Sequence, residues 1–241
     1  MGRLPQRRRG KGSTTYRAVS HHYKAKSAFK TYDDNEKNNS SRGLIVDLIH
    51  DPARRAPLMI VQFEEQTMAV PAPLGVMVGS YVEAGVTASI DNGNFLPLKS
   101  IPEGTIISNI ELTPGDGGKL ERTAGSKARL VSKEGKIMIL KLSSNKTKKL
   151  NENCRAMIGV IAGGGHGMKP IVKAGNQYYQ KKSKGKRWPV PEGSKRNACD
   201  HPQGGKQHKK RKKHTVSRNA PPGAKVGSIA ARRTGTGGKR K

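Results

Sequence analysis

The chain has 241 residues, with 47 Lys/Arg against 17 Asp/Glu and a formal net charge of +30. An isolated compact protein of that charge repels itself strongly, so the composition points to a polyanionic partner. Only 33% of the residues are hydrophobic and 4% aromatic, which argues against one large core and for one or two small domains.

The charge is unevenly placed. Residues 1–42 carry 11 Lys/Arg against 3 acids, 43–162 carry 14 against 12, and 163–241 carry 22 against 2. The middle is composed like an ordinary globular domain and both flanks like nucleic-acid-binding extensions. No apolar run approaches the length that spans a bilayer, and the N-terminus has no signal-like apolar segment. No basic amphipathic helix offers an apolar face to a membrane surface, so no membrane partner is expected. Two cysteines, Cys154 and Cys199, give no disulfide framework; a reducing, cytoplasmic location is the simplest reading.

The first residues form a basic, Gly/Ser/Thr-rich arm. In it Arg7, Arg8, Arg9, Lys11 and Arg17 alternate with small residues that let a backbone approach phosphates, and Tyr16 is placed to stack on bases. Asn35 to Ser41 is free of apolar residues and reads as a linker or surface loop. From Gly43 the pattern turns to β. Leu44–Ile49 ends at the His50-Asp51-Pro52 turn, and Leu58–Phe63, Thr67–Val70, Tyr81–Val86 and Phe95–Leu98 follow, with Thr105–Leu112 as a closing strand. Short strands with Gly/Pro punctuation and no long helical period predict a small β-barrel. After Pro114-Gly115-Asp116-Gly117-Gly118 a second unit begins: a hairpin of 128–131 and 136–142, then 146–150, then Cys154–Ile161. Cys154 is expected as buried packing. Beyond Gly163-Gly164-Gly165 no core-forming element is predicted except one helical turn at Val226 to Arg233.

The tail is dominated by Asp200-His201-Pro202-Gln203-Gly204-Gly205-Lys206, followed by the cation run Lys209-Lys210-Arg211-Lys212-Lys213. Pro202 and the glycines exclude a regular element there, and the cations call for an anion to hold the segment in shape. Trp188 stands among Lys186, Arg187 and Pro189, outside any apolar pattern, and is expected to pack on a ribose or base. Gly163–Gly167 exposes successive backbone amides to a phosphate or is merely a turn; the change of composition there favours the phosphate. Neither that run nor Gly115–Lys119 has the spacing of a phosphate-binding loop, so nucleotide hydrolysis is not indicated. His201 titrates near neutral pH and is the one candidate proton-transfer group, but neighbouring Asp200 does not by sequence alone orient it. Cys199, His201, His208 and His214 do not have the spacing of a zinc site, and the adjacent cations repel a metal. No metal and no cofactor is expected.

Several of these stretches, in this order, closely resemble one family. They are Gln6–Arg17, His50–Pro57, Pro114–Lys119, Cys154–Gly159, Lys173-Ala174-Gly175-Asn176, Asp200-His201-Pro202, Ser217–Gly223 and Ala230–Gly235. The family is the universal large-subunit ribosomal protein called L-two, in its archaeal and eukaryotic branch. The resemblance implies a mainly β fold: an oligonucleotide-binding-type barrel (43–112), then an SH3-like barrel (113–162). Long basic irregular extensions flank them, an N-terminal arm and linker (1–42) and a C-terminal extension threading rRNA (163–241). It implies a structural constituent of the large subunit and primary rRNA-binding protein near the peptidyl transferase centre. It also implies support for subunit association and tRNA placement. Its partners would be large-subunit rRNA and other ribosomal proteins, with small-subunit components and tRNA within reach. It adds Lys173, Asn176, Arg218, Arg232 and Arg233 to the candidate RNA contacts. Two departures stand out: the family's glycine run is longer than Gly204-Gly205, and its histidines after Gly175-Asn176 are here Tyr178-Tyr179. The competing readings are participation of His201 in peptidyl transfer, and a free RNA chaperone or translation factor.

Overall fold

The computed structural model describes residues 16–17, 20–64, 66–206 and 215–231. They belong to two compact units: residues 20–170, and the remainder at the two ends of the chain.

The 20–170 unit is built on ten strands: β1 (Ser40–Ile49), β2 (Leu58–Gln62), β3 (Thr67–Pro71), β4 (Tyr81–Gly85), β5 (Phe95–Pro97), β6 (Ile106–Ser108), β7 (Ala128–Glu134), β8 (Ile137–Lys141), β9 (Thr147–Asn151) and β10 (Arg155–Ile158). They hydrogen-bond in the order β3-β2-β1-β4-β5-β10-β6-β7-β8-β9. The order places the last strand in the middle. β10 pairs antiparallel with β5 through Ala156 and Leu96, and with β6 through Ile158 and Ile107.

Side chains alternate between the two faces of a strand, and here both faces of the central strands are used. Phe95 and Met157 point into one core with Ile45, Met59, Val61 and Val70. Their neighbours Leu96, Ala156 and Ile158 point into a second, with Leu98, Ile107, Leu130 and Leu140. All four β10 residues are buried. The mainly β fold expected from the sequence is therefore present, with β5 and β10 as walls common to both cores.

Expected strand ends shift where backbone chemistry intervenes. The strand expected over 105–112 stops at Ser108 because Asn109 takes a left-handed conformation (φ 46°). The next residue, Ile110, makes an isolated bridge to Leu120. The His50-Asp51-Pro52 turn is closed by the buried Asp51 carboxylate, which accepts the Ala53 amide at 3.0 Å and pairs with Arg54 at 3.0 Å. The hairpin expected around Lys133–Gly135 turns at Gly135 (φ 58°), between β7 and β8. Cys154 is buried as expected, and burial pushes its thiol up to about 11.

The stretch Asn35–Ser41, read from sequence as a linker or surface loop, instead forms regular elements. A short helix α1 (Asp34–Asn38) leads directly into β1, and its Glu36 is fully buried. The absence of apolar residues was a poor guide because the buried group is a carboxylate. Arg155 Nη1 reaches Glu36 Oε2 at 2.7 Å, while its Nε and Nη2 donate to Glu111 Oε1 at 3.2 and 2.9 Å. The Glu111 carboxylate also accepts the amides of Gly115, Gly117 and Arg155 at 3.2, 2.9 and 2.9 Å. Two amides of the glycine-rich 114–118 loop are thus consumed by an internal carboxylate. Arg155 closes the cluster by donating to the Lys30 carbonyl at 2.9 Å and lying over the Tyr32 ring, 4.7 Å from its centroid.

In the other unit a helix not expected from sequence, α2 (Ala174–Ser183), has no buried residue. Its sequence lacks an apolar period, which is the signal by which surface helices are found. The helical turn expected at Val226–Arg233 is overturned. Ser228–Ile229 forms a short strand, β12, which pairs in parallel with β11 (Thr215–Val216). The backbone that helix bonds would have used is engaged across the chain, with Val226 buried beside it.

Candidate nucleic-acid interface

α2 ends in a way that builds a cleft. Gly185, at φ 59°, follows the helix; its amide donates to Lys182 O at 3.0 Å and the Lys186 amide to Lys181 O at 2.9 Å. This paired closure is the Schellman arrangement, which needs a left-handed residue at that point and turns the chain back over the last helical turn. A side chain at Gly185 would also press on the carbonyl oxygens of Tyr16 and Arg17, 3.0 Å away for Tyr16. Glycine therefore serves twice, and residues 16–17 come against the segment that carries Trp188.

The result is a cleft of about 550 Å³ lined by Tyr16, Lys181, Lys184, Lys186, Arg187 and Trp188, with Gly185 and Val190. Among the described residues no carboxylate lines it. Trp188 is half-buried and Lys186 and Arg187 are exposed. Two aromatic rings interleaved with four cations suit a nucleotide: π-faces take a base and cations take its phosphates. Sequence reading had singled out Tyr16, Lys186, Arg187 and Trp188, and the structure brings these four together. It had passed over Lys181, in the last turn of a helix that was not foreseen, and Lys184, the residue that caps it.

The other half of the candidate site is the loop around His201. The amides of Asp200 and His201 both donate to Asn197 O, at 3.0 and 3.2 Å, and those of Gly204 and Gly205 return to His201 O and Arg196 O, at 2.8 and 3.0 Å. Gly204 is buried, and a side chain there would overlap the carbonyls of Arg196 and Asn197. Its glycine thus has an internal cause. The imidazole lies against Gly193, where any side chain would overlap the ring. His201 Nδ1 accepts the Gln203 amide at 3.1 Å, which places the proton of the neutral ring on Nε2. No hydrogen bond or ion pair joins Asp200 to it. Burial, and secondarily the Arg196 guanidinium, lower the pKa of His201.

The sign of that shift makes a prediction. A histidine whose folded pKa is depressed takes up its proton more readily when unfolded. Its contribution to the loop is therefore complete above the unfolded value of about 6.5 and is lost as pH falls from there through the folded value. NMR titration of the full chain, assigned by His201→Gln, is expected to show a lower midpoint for His201 folded than in urea. A folded midpoint at or above the urea value would contradict the half-buried, neutral ring.

The remaining candidates are distributed. Lys173, Asn176, Lys206 and Arg218 are exposed in the same unit, and Arg17 is exposed beside Tyr16. Arg7, Arg8, Arg9, Lys11, Lys209, Lys210, Arg211, Lys212, Lys213, Arg232 and Arg233 lie outside the described residues, as do His208 and His214. Tyr178 and Tyr179 meet edge to face with centroids 5.4 Å apart. In the glycine run, Gly164 packs closely against Gly125: a side chain on Gly164 would sit 3.1 Å from the Gly125 Cα. Among the described residues no group of three His, Cys, Asp or Glu is placed to hold a metal ion, and no helix is long and apolar enough to cross a membrane.

Comparison with known proteins accounts for nearly the whole chain. The family model "Ribosomal Proteins L2, RNA binding N-terminal domain" matches residues 2–84, and "Ribosomal Proteins L2, C-terminal domain" matches residues 91–224. The chain belongs to the L2 family of ribosomal proteins. It is 49% identical over 236 residues to "Large ribosomal subunit protein uL2" of Methanothermobacter thermautotrophicus, covering 97% of this chain and 98% of that one. The protein of the same name from Haloarcula marismortui is 48% identical over 242 residues, 99% of each chain, and that of Methanopyrus kandleri 46% over 240 residues, again 99% of each. The boundary between the two family segments, 84 to 91, runs from the end of β4 into the turn before β5, the first strand shared by both cores.

Proposed function

We propose that this protein is a structural constituent of the large ribosomal subunit and a primary rRNA-binding protein. It holds RNA in shape near the peptidyl transferase centre and supports subunit association and tRNA placement. The observation that carries the reading is the cleft of two aromatic rings and four cations, within a chain aligned over 97% or more of its length with relatives named as large-subunit proteins. Its partners are large-subunit rRNA and neighbouring ribosomal proteins, with small-subunit components and tRNA in reach of the extensions, and its place is the cytoplasmic ribosome. Residues 43–112 act as the oligonucleotide-binding-type barrel and 113–162 as the SH3-like barrel. The flanks 1–42 and 163–241 supply the basic contacts, including those from Arg7 to Arg17, Lys173 to Trp188 and Lys206 to Arg233.

The protein acts without a catalytic centre of its own. A general base needs a free acceptor nitrogen within reach of the proton it removes. His201 has its Nδ1 occupied by the Gln203 amide and offers a donor at Nε2, which suits a structural contact to a phosphate or carbonyl. A free RNA chaperone or translation factor would share the cleft but not the stoichiometry. Quantitative mass spectrometry of large subunits washed in high salt is expected to find one copy per subunit. Substoichiometric recovery with the chain in the wash would sink the structural reading.

A further inference from the structure

We propose that a second RNA contact lies on the outer surface of the second core, where Lys127, Arg129 and Lys141 form a cleft for backbone phosphates. It goes beyond the aromatic cleft and rests on the reading that the chain binds large-subunit rRNA. The near-neutral middle of the sequence conceals it. Residues 43–118 carry 3 Lys/Arg against 9 acids, whereas residues 119–162 carry 11 against 3. An acidic half and a basic half are joined in one folded unit.

Five of the eleven cations of the basic half have partners within the protein. Arg155 is buried in its carboxylate cluster, Lys119 pairs with Asp116 at 3.4 Å and Lys149 with Glu134 at 3.5 Å. Arg122 donates to the Ser27 carbonyl at 2.8 Å and Lys133 to that of Lys99 at 2.7 Å. Lys127, Arg129 and Lys141 are exposed, and among the described residues none of the three forms an ion pair. They line one cleft of about 420 Å³ with Ser143 and Asn145. The carboxylate at its lip, Glu121, is already held by the Ser143 amide at 3.1 Å and hydroxyl at 2.9 Å.

The register sharpens the point. Arg129 of β7 lies directly opposite Lys141 of β8. Like charges directly opposite each other in an antiparallel pair are destabilising, and their Cβ atoms stand roughly 5 Å apart. Both side chains can therefore reach one anion, and an anion between them turns repulsion into attraction. The arrangement costs stability in the free protein and repays it on binding. A protein partner would find cations where interface centres are depleted in charge; a chain of phosphates meets repeated cations and the side-chain amide of Asn145.

The test uses the full chain and large-subunit rRNA transcript as probe, with binding measured across a salt series. The variant Lys127→Gln/Arg129→Gln/Lys141→Gln is expected to lower the slope of log K against log salt by about 2 to 3, because each phosphate contact contributes roughly 0.7–0.9. Lys141→Glu places an acid opposite Arg129, so it should raise the melting temperature of the free protein by about 1–3 °C. It should at the same time weaken RNA binding. Opposite movement of stability and affinity is the signature of the site, and the single variant decides the matter should the triple one misfold by circular dichroism. Unchanged slopes in both variants, with tight wild-type binding, would overturn the site and leave the general reading intact. Wild-type chain with no salt-dependent RNA binding would bring down the general reading and this inference together. Unchanged slopes with impaired incorporation into subunits would also overturn it, in favour of an acidic protein neighbour.

Discussion

Replacing Arg155 with Met is expected to destabilise the 20–170 unit by about 3–5 kcal/mol, the usual cost of removing one partner from a buried ion cluster. Arg155 is the cation between the fully buried Glu36 and Glu111, and Met fills its volume without satisfying either carboxylate. The loss should appear as a fall in melting temperature of roughly 6–20 °C. It should also depend on pH in a defined sense. Burial already raises the Glu36 pKa, opposed mainly by Arg155. Without the guanidinium the Glu36 pKa rises further. A carboxyl whose folded pKa lies above its unfolded value stabilises the fold at low pH and loses that contribution as pH rises through the folded value. The deficit of the variant should thus be smaller near pH 5 than at pH 7. Circular dichroism is the appropriate probe, because the single tryptophan, Trp188, lies in the other unit. A change under 1 kcal/mol, or a deficit that grows on acidification, would show that the cluster does not hold the fold as described.

The isolation of that tryptophan makes it a reporter for the second large effect. Trp188→Ala is expected to weaken binding to large-subunit rRNA by about 1–3 kcal/mol, or roughly 5- to 150-fold, with Trp188→Phe retaining most of the affinity. RNA should quench the fluorescence of the wild-type chain as the indole stacks. Lys181→Ala, Lys184→Ala and Lys186→Ala together should instead reduce the salt slope by about 2 to 3. Stacking and charge are thereby separated, since the aromatic change leaves the slope in place. If Trp188→Ala binds like the wild type and shows the same salt dependence, the cleft is not where RNA is held.

Much of the strand plan was legible because its causes are local. Apolar, β-rich runs between turn signals mark β2 and β8 to within a residue at each end and the C-terminal end of β1, whose start lies four residues earlier than expected, and Cys154 was recognisable as packing. The charge of the flanks and the setting of Trp188 among cations are likewise compositional facts. What escaped depends on pairings distant in sequence. Glu36 has a polar neighbourhood and no signal that Arg155, 119 positions away, would bury it. Gly115 and Gly117 look free until Glu111 is seen to take their amides. α2 has the composition of coil and is closed by a glycine whose role is visible only in three dimensions. The Arg129–Lys141 juxtaposition was hidden because averaging charge over 43–162 cancels two opposite halves.

The use of β5 and β10 by both cores has a consequence for how the protein is made. The first core lacks Met157 and Ile161, and the second lacks Ala156 and Ile158, until almost the whole 20–170 unit has been synthesised. Arg155, which neutralises Glu36 and Glu111, arrives at the same moment. A nascent chain ending at residue 150 therefore has neither core closed, and its apolar strands wait unpaired beside a long cationic sequence still to come. Non-local pairing of this kind folds slowly and exposes strand edges to aggregation. Synthesis should yield no stable N-terminal half, only an all-or-none closure when β10 inserts between β5 and β6.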